Sequence, residues 1–354
     1  MQNLAEKSIA NQEDWRKIVK KYKRSDLAKS SWQLGSTLSL YILGWVVAAY
    51  AWEISPWLTL LVAALSQVYF GRLFIFMHDC GHGTFFKTKK ARSFWGHVTG
   101  TLWMTPFWSW TKDHATHHRH SGNLDHRGVG DIWTLTTEEY EQASALKKFA
   151  YRVCRAPFFV LGFGGLYVYF ISQRFNRKTD GKRERKSLWI TNGLIVAQAV
   201  LIASLTSLEF YLFYQFFLVY FGSILSVFFF YVQHQYEDSY WSKGDGWDYQ
   251  TAALEGSSYL KLPRIIQWAS GNIGFHHIHH LCHSIPNYNL EKAFHENEIF
   301  KNPTTIKLKD CVKCFNLALI DLKNEQMISF KEYKKSLKIV PTAKYENKEE
   351  FMQI

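Results

Sequence analysis

The stretch PWLTLLVAALSQVYFGRLFIFMHDCGH, residues 56–82, runs from a long apolar segment straight into a pair of histidines. Its first 22 residues, Pro56 to Met77, carry a single charge, Arg72 near the end. As a helix they would extend roughly 33 Å, enough to cross a bilayer. Working outward, Leu34–Trp52 contains no charge, and the runs Leu188–Leu208 and Phe210–Val232 are separated by Glu209 alone. Soluble proteins rarely bury adjacent helices of this length and purity, so the pattern predicts two transmembrane helical hairpins, four spans in all. Two shorter apolar stretches, Phe94–Trp110 and Ala156–Ile171, contain glycine, proline or hydroxyl residues and read as interfacial helices. Gly162-Phe163-Gly164-Gly165 in the second lacks the third glycine of a dinucleotide loop and reads as close helix packing.

Charge placement gives the orientation. The 354-residue chain carries 42 Lys+Arg against 30 Asp+Glu, a formal charge of +12. Eight of the basic residues lie in residues 1–30 and seven in Arg174–Lys186, whereas the turns at Glu53-Ile54-Ser55 and Glu209 have none. By the positive-inside rule both hairpins begin and end in the cytoplasm. The expected organisation is a cytoplasmic N-terminal segment 1–33, a first hairpin 34–77, a cytoplasmic region 78–187, a second hairpin 188–233 and a cytoplasmic cap 234–354. The excess of basic residues is then accounted for at lipid headgroups, with no nucleic acid partner. The high aromatic content, 17%, suits membrane interfaces, with Trp32, Tyr50 and Trp241 as anchors. Five cysteines without a disulfide spacing point to a reducing compartment. The expected location is the cell membrane, multi-pass, with both termini and the active site cytoplasmic.

All 15 histidines lie between positions 78 and 295. His78 and His82 stand i, i+4 directly after the second apolar run, where a continuing helix brings both rings to one face. His114, His117 and His118 repeat the idea as i, i+3, i+4, and His276, His279 and His280 repeat it again, with His277 off that face. His234 emerges at the end of the fourth run, where an unpaired ionisable group is costly. Eight clustered imidazoles are too many for one metal and suit two. Iron, copper, zinc and nickel all accept imidazole, so ligand type alone leaves the metal open. If the clusters converge, an even number of crossings separates each from the next, which keeps 94–110 and 156–171 from crossing singly.

HDCGH (78–82), HATHH (114–118) and HHIHH (276–280), in this order around two hairpins, resemble the three histidine boxes of membrane fatty acid desaturases. SGNLDHRGVGDIW (121–133), FFYVQHQYEDSYW (229–241), AALEGSSYLKLP (252–263) and GNIGFHHIHHLCHSIPNYNL (271–290) extend the resemblance to bacterial acyl-lipid desaturases of low-GC Gram-positive organisms, over residues 30–320. The resemblance implies an all-α integral membrane protein with a cytoplasmic histidine-ligated di-metal site. It implies metal ligands at His78, His82, His114, His117, His118, His276, His279 and His280, with His234 as a ninth. His120, just beyond the second box, receives no ligand role. The implied cofactors are two iron ions with O2 as co-substrate, and the implied substrate is the acyl chain of a membrane phospholipid, in which a cis double bond is introduced. Removing hydrogen from an unactivated methylene needs an oxidant made from O2, which redox-inert zinc does not supply. The chain has no haem motif, ferredoxin cysteine pattern or dinucleotide fingerprint, so a separate ferredoxin or flavodoxin is implied as electron donor.

Asp79, Asp113 and Asp125 are candidates to hold imidazoles through their second nitrogens, with helix capping or solvation the competing role. Cys311 and Cys314 form a Cys-x-x-Cys with no second pair, and Cys80 and Cys282 read as small packing residues. His97, His126, His283 and His295 read as structural or surface residues. Two alternative functions are a histidine-box fatty acyl hydroxylase, which begins with the same hydrogen abstraction, and a membrane metal transporter or sensor. The second would want ionisable residues at mid-span, and these spans are nearly free of them.

Overall fold

The computed structural model describes residues 15–339; residues 1–14 of the N-terminal segment and 340–354 of the cap lie outside the described residues. The chain is mostly helical. Helix α1 (Leu27–Ile54) begins at Asp26, whose side chain accepts from the Lys29 N–H. It turns sharply at Ser55, the N-cap of α2 (Pro56–Leu65), and α3 (Gln67–His82) follows after Ser66. Helices α4 (Lys89–Leu102) and α5 (Phe107–His120) come next, then strand β1 (Leu135–Thr136), α6 (Thr137–Gln142) and α7 (Ala145–Arg155). A segment with π-helical turns, Pro157–Arg174, leads to the long pair α8 (Lys182–Leu205) and α9 (Leu208–His234). The cap contains α10 (Tyr249–Glu255), β2 (Tyr259–Lys261), α11 (Arg264–Ala269), α12 (His276–Leu281), α13 (Asn287–Glu296), β3 (Thr305–Lys307), β4 (Leu317–Asp321), β5 (Gln326–Ser329) and α14 (Phe330–Ile339).

Helices α1, α8 and α9 are each long and apolar enough to cross a membrane. The expected span 56–77 is instead a bent pair: α2 and α3 meet at 49°. The bend has a local cause. Ser66 Oγ donates to the Val62 carbonyl at 2.7 Å and Gln67 Nε2 to the Ala63 carbonyl at 2.9 Å, so side chains intrude on the helix's own acceptors. Phe94–Trp110 is likewise not one helix. It is broken between α4 and α5, where Met104 takes a positive φ and Pro106 starts the next helix. The stretch 156–171 is long and apolar enough to cross a membrane only together with α7, to which it is bent by 64°.

The outer surface of α1 is apolar, unlike that of a water-soluble bundle. Along α1 the buried residues include Ser30, Thr37, Gly44, Ala48 and Ala51, while Ile42, Leu43, Val46 and Val47 face outward. Small residues inside let helices approach, and large apolar ones outside suit lipid. Gly44 lets α1 close on Tyr69: a Cβ there would lie 1.7 Å from the Tyr69 hydroxyl and displace it from its bond to Ser66. Trp103 sits fully buried at the centre, stacked on Phe70 at 4.3 Å and donating from Nε1 to the Phe70 carbonyl.

The all-α expectation needs correction, because the mostly helical chain also forms two small sheets, one of them joining β1 to two strands of the cap. One has the order β1-β4-β5, with β1/β4 parallel and β4/β5 antiparallel; the other pairs β2 with β3 in parallel. LALID (317–321) and QMIS (326–329) are too short to announce themselves in a mixed sequence, yet Asp321 accepts from the Lys323 and Asn324 N–H groups and closes the turn between them.

Candidate metal centre

Each histidine cluster is delivered by the end of a helix. Helix α3 runs through both His78 and His82, whose rings lie 4.5 Å apart. Helix α5 presents His114, His117 and His118, with the Trp110 ring stacked on His114 at 4.4 Å. The six-residue α12 is aimed from outside itself. Leu260 N–H on β2 donates to the Gly274 carbonyl, and Gln233 Nε2 on α9 donates to the Ile273 carbonyl. Gly274 has to be glycine here, since a Cβ would stand 2.6 Å from the Leu260 carbonyl oxygen. His234 is the last residue of α9.

These elements converge. The ring nitrogens of His78, His82, His114, His118 and His279 lie within 4.8 Å of one another, and those of His117, His234 and His280 form a second such set. His276 joins the second set, with its Nε2 at 3.0 Å from that of His234 and 3.1 Å from that of His280. In the first set His78 and His279 face each other at 3.0 Å and His279 and His118 at 2.9 Å. The i, i+4 pairs each stay together, whereas the intervening i+3 residue crosses over. His117 leaves His114 and His118 for the second set, and His279 leaves His276 and His280 for the first. The spacing thus gives two adjacent sites bridged by α5 and α12 rather than three rings converging on one point.

The donor set fits metal ions. Three imidazoles are fixed through Nδ1: His78 to Asp79 at 2.9 Å, His117 to Asp131 at 2.6 Å, and His234 to the Gly256 carbonyl at 3.0 Å. A proton held on each Nδ1 leaves the Nε2 lone pair pointing inward. Lone pairs facing one another at about 3 Å away from water repel unless a cation lies between them. His82 Nε2 is buried with no hydrogen-bond partner, as a coordinating nitrogen would be. Burial, reinforced by neighbouring imidazoles, holds His114, His118, His276, His279 and His280 well below the ordinary histidine value. Neutral imidazole is the ligating form.

The family model for fatty acid desaturase matches residues 54–301, a stretch that contains every one of these histidines. The chain belongs to the fatty acid desaturase family. It is 39% identical to a fatty acid desaturase of Bacillus subtilis (strain 168) over 332 residues, covering 94% of each chain. It is 28% identical to the sn-1 oleoyl-lipid 12-desaturase of Picosynechococcus, over 70% of this chain and 72% of that one. It is also 28% identical to the sn-1 acyl-lipid omega-3 desaturase (ferredoxin) of Nostoc, over 70% and 69%.

Around the desaturase's clustered histidines, the three sequence-chosen carboxylates fare differently. Asp79 holds His78 and is itself held: its Oδ2 accepts from the N–H and Nδ2 of Asn287, at 2.8 and 2.9 Å, at the start of α13. Asp113 pairs with Arg177, and Asp125 accepts from the Gly244 N–H, so neither supports an imidazole. The carboxylate on His117 is Asp131, in GVGDIW, which the sequence reading passed over because no helical spacing links it to a histidine. His283 was also missed. Its ring lies 4.9 Å from His82 and 5.6 Å from His118, although α12 has ended at Leu281 and no helical register carries it there. His277 is off the shared face, as expected, with Nε2 at 3.1 Å from the Phe300 carbonyl. His97 bridges the Ser93 carbonyl and the Ser187 hydroxyl, His120 lies against His126 with tilted rings, and His295 lies beside Glu291, all away from the two sets. Cys80, Cys282, Cys311 and Cys314 are buried free thiols.

Proposed function

We propose that this desaturase holds two iron ions on nine histidines, His78, His82, His114, His118 and His279 at one position and His117, His234, His276 and His280 at the other. With these it introduces a cis double bond into the acyl chains of membrane phospholipids. The carrying observation is the convergence of these imidazoles as two adjacent sets, with Nδ1 anchors turning the lone pairs inward. When bound, iron supplies the oxidising power, drawn from O2 and two electrons, that removal of hydrogen from an unactivated methylene requires. The overall balance is –CH2–CH2– plus O2, two electrons and two protons, giving –CH=CH– and two waters.

The chain's own residues do the positioning. Asp79 keeps the proton of His78 on Nδ1, Asp131 does so for His117, and the Gly256 carbonyl does so for His234. Asn287 fixes Asp79 in turn and ties the first histidine pair to α13. His78 and His82 end α3 and His234 ends α9, both continuous with apolar segments, so the site meets the acyl region of the membrane on one side and the polar cap on the other. A separate ferredoxin or flavodoxin brings the electrons, a reading supported by the ferredoxin in the Nostoc relative's name. The basic segments at the N-terminus and at Arg174–Lys186 support a multi-pass arrangement in the cell membrane with both termini and the site cytoplasmic.

The test is metal analysis of purified protein in lipid nanodiscs, alongside turnover with a chemical reductant and O2. Two irons per chain and an O2-dependent unsaturated product support the proposal. Zinc as the native metal, or a hydroxylated acid as the main product, overturns it.

A further inference from the structure

Helix α7 (ALKKFAYRVCR) is turned inside out. Leu146 is 77% exposed and Phe149 66%, while Tyr151 and Arg155 point inward. The inward side is firmly held. Tyr151 OH receives the Leu135 N–H and donates to the Ala318 carbonyl, and Arg155 donates to the Leu317 carbonyl at 2.7 Å and lies over the Tyr231 ring. A helix pinned this way offers a fixed apolar face, with Lys147 and Arg152 at its margins. After a 64° bend at Ala156 the chain runs on into Pro157–Arg174, where Phe158, Tyr167 and Ile171 are also exposed.

Beside it stands α14 (FKEYKKSLKI). Lys331, Lys334, Lys335 and Lys338 fall at i, i+3, i+4 and i+7 and share one exposed face. Glu332, the helix's one acid, is folded back onto the Ser329 N–H and hydroxyl. The two helices are joined by an aromatic box. Arg152 lies 4.9 Å over the Phe330 ring and donates to Tyr140 OH, and Tyr140 meets Tyr333 edge-on at 5.6 Å.

We propose that α7 and α14 form one docking face for the anionic headgroups of the bilayer, with Leu146 and Phe149 among the acyl chains and the α14 lysines at the phosphates. It rests on the reading of the apolar helices as membrane-embedded and adds a lipid-class preference to it. An acidic protein would need the lysines but not the exposed Leu146, Phe149 and Leu337, nor their continuity with an apolar run; a lipid surface needs both. Each basic residue near an anionic surface strengthens attachment roughly fivefold. The sheet beneath this face is tied to α9, since Tyr231 OH donates to the Leu317 carbonyl at 3.2 Å, three residues before His234. The face is therefore linked through α9 to His234, one member of the second histidine set.

The experiment uses the full chain, iron-loaded, in nanodiscs of phosphatidylcholine alone or with about 30% phosphatidylglycerol. Hydrogen exchange is followed over residues 145–155 and 330–339, and turnover is driven by a chemical reductant. The expected result is protection of both segments that rises several-fold in the anionic discs. That rise is lost in K331E/K334E/K335E/K338E and in the milder K331Q/K334Q/K335Q/K338Q. Metal content and turnover in neutral discs stay unchanged in both variants; absence of an unsaturated product from the wild type in either disc would count against the desaturase reading instead. Equal protection in the two lipids overturns the proposal. So does a variant that keeps its anionic-lipid protection but loses acceleration by an added acidic ferredoxin, which would assign the lysines to a protein.

Discussion

Replacing Asp79 with asparagine changes one oxygen to an amide nitrogen, with almost no change in shape. The structure says why this should matter. Asp79 accepts three hydrogen bonds, two from Asn287 and one from His78 Nδ1. An asparagine has one acceptor oxygen. If it faces the two Asn287 donors, its amide nitrogen faces His78 Nδ1, which must then become an acceptor. The proton moves to His78 Nε2, 3.0 Å from His279 Nε2, where the proposed first metal position needs a lone pair. If the amide is turned the other way, the Asn287 donors lose a buried partner at about 1–3 kcal/mol. Losing the carboxylate behind a ligating histidine typically costs 10–100-fold in metal affinity, or about 1.4–2.7 kcal/mol. We expect D79N to fold and insert normally but to retain about one metal ion per chain after dialysis against a weak chelator that leaves the wild type loaded. Isothermal competition with that chelator gives the affinity, and mass spectrometry of the metals gives the stoichiometry. A D79N protein that keeps wild-type affinity at both positions would refute the assignment of Asp79 as the group that sets the His78 tautomer.

Further expectations concern other parts of the molecule. His117→Ala or His276→Ala should abolish product formation, whereas His277→Ala should leave measurable activity and lower the melting temperature, because His277 contacts the Phe300 carbonyl rather than the cluster; the reverse ranking in a turnover assay would contradict the register. Gly222→Val should destabilise the helix core by about 1–3 kcal/mol, since even a Cβ there lies 2.7 Å from Trp103 Cη2 and 3.0 Å from the Phe70 ring; unchanged thermal unfolding would contradict the packing. In metal-free protein, burial keeps His114, His118, His276, His279 and His280 neutral when folded, while the unfolded chain titrates them near 6.5. Above that value both states are neutral and nothing changes. Below it the unfolded chain gains protons that the folded one refuses, so stability falls. Chelated protein should melt lower at about pH 5.5 than at about pH 7.5, and a flat profile would contradict this.

The sequence announced the helices whose burial pattern is lipid-like, because a run such as Leu34–Trp52 has no competing explanation. It did not announce breaks made by side chains inside a run. Ser66 and Gln67 look like ordinary polar residues in an apolar segment, and only their bonds to the Val62 and Ala63 carbonyls bend it. The histidine boxes were legible as helical spacings, but a spacing fixes angles around one helix and not where two helices meet. The crossing of His117 and His279 between the two sets depends on how α5 and α12 aim their rings at each other across the cluster. Asp131 and His283 reach the cluster from loops, where no periodicity exists to be read. The strands β4 and β5 stayed hidden for a related reason: four or five residues alternate too briefly to stand out from a mixed cap.

The central claim, desaturation of membrane acyl chains at this histidine cluster, is tested most directly in a host without desaturases of its own. Cells producing this protein with a ferredoxin and its reductase are compared with cells producing His117→Ala, aerobically and anaerobically, by gas chromatography and mass spectrometry of total fatty acids. The account predicts a new monounsaturated acid in the aerobic wild-type culture alone, with dimethyl disulfide adducts locating the double bond. An equal amount of that acid in the His117→Ala cells, or a hydroxylated acid in its place, would contradict it.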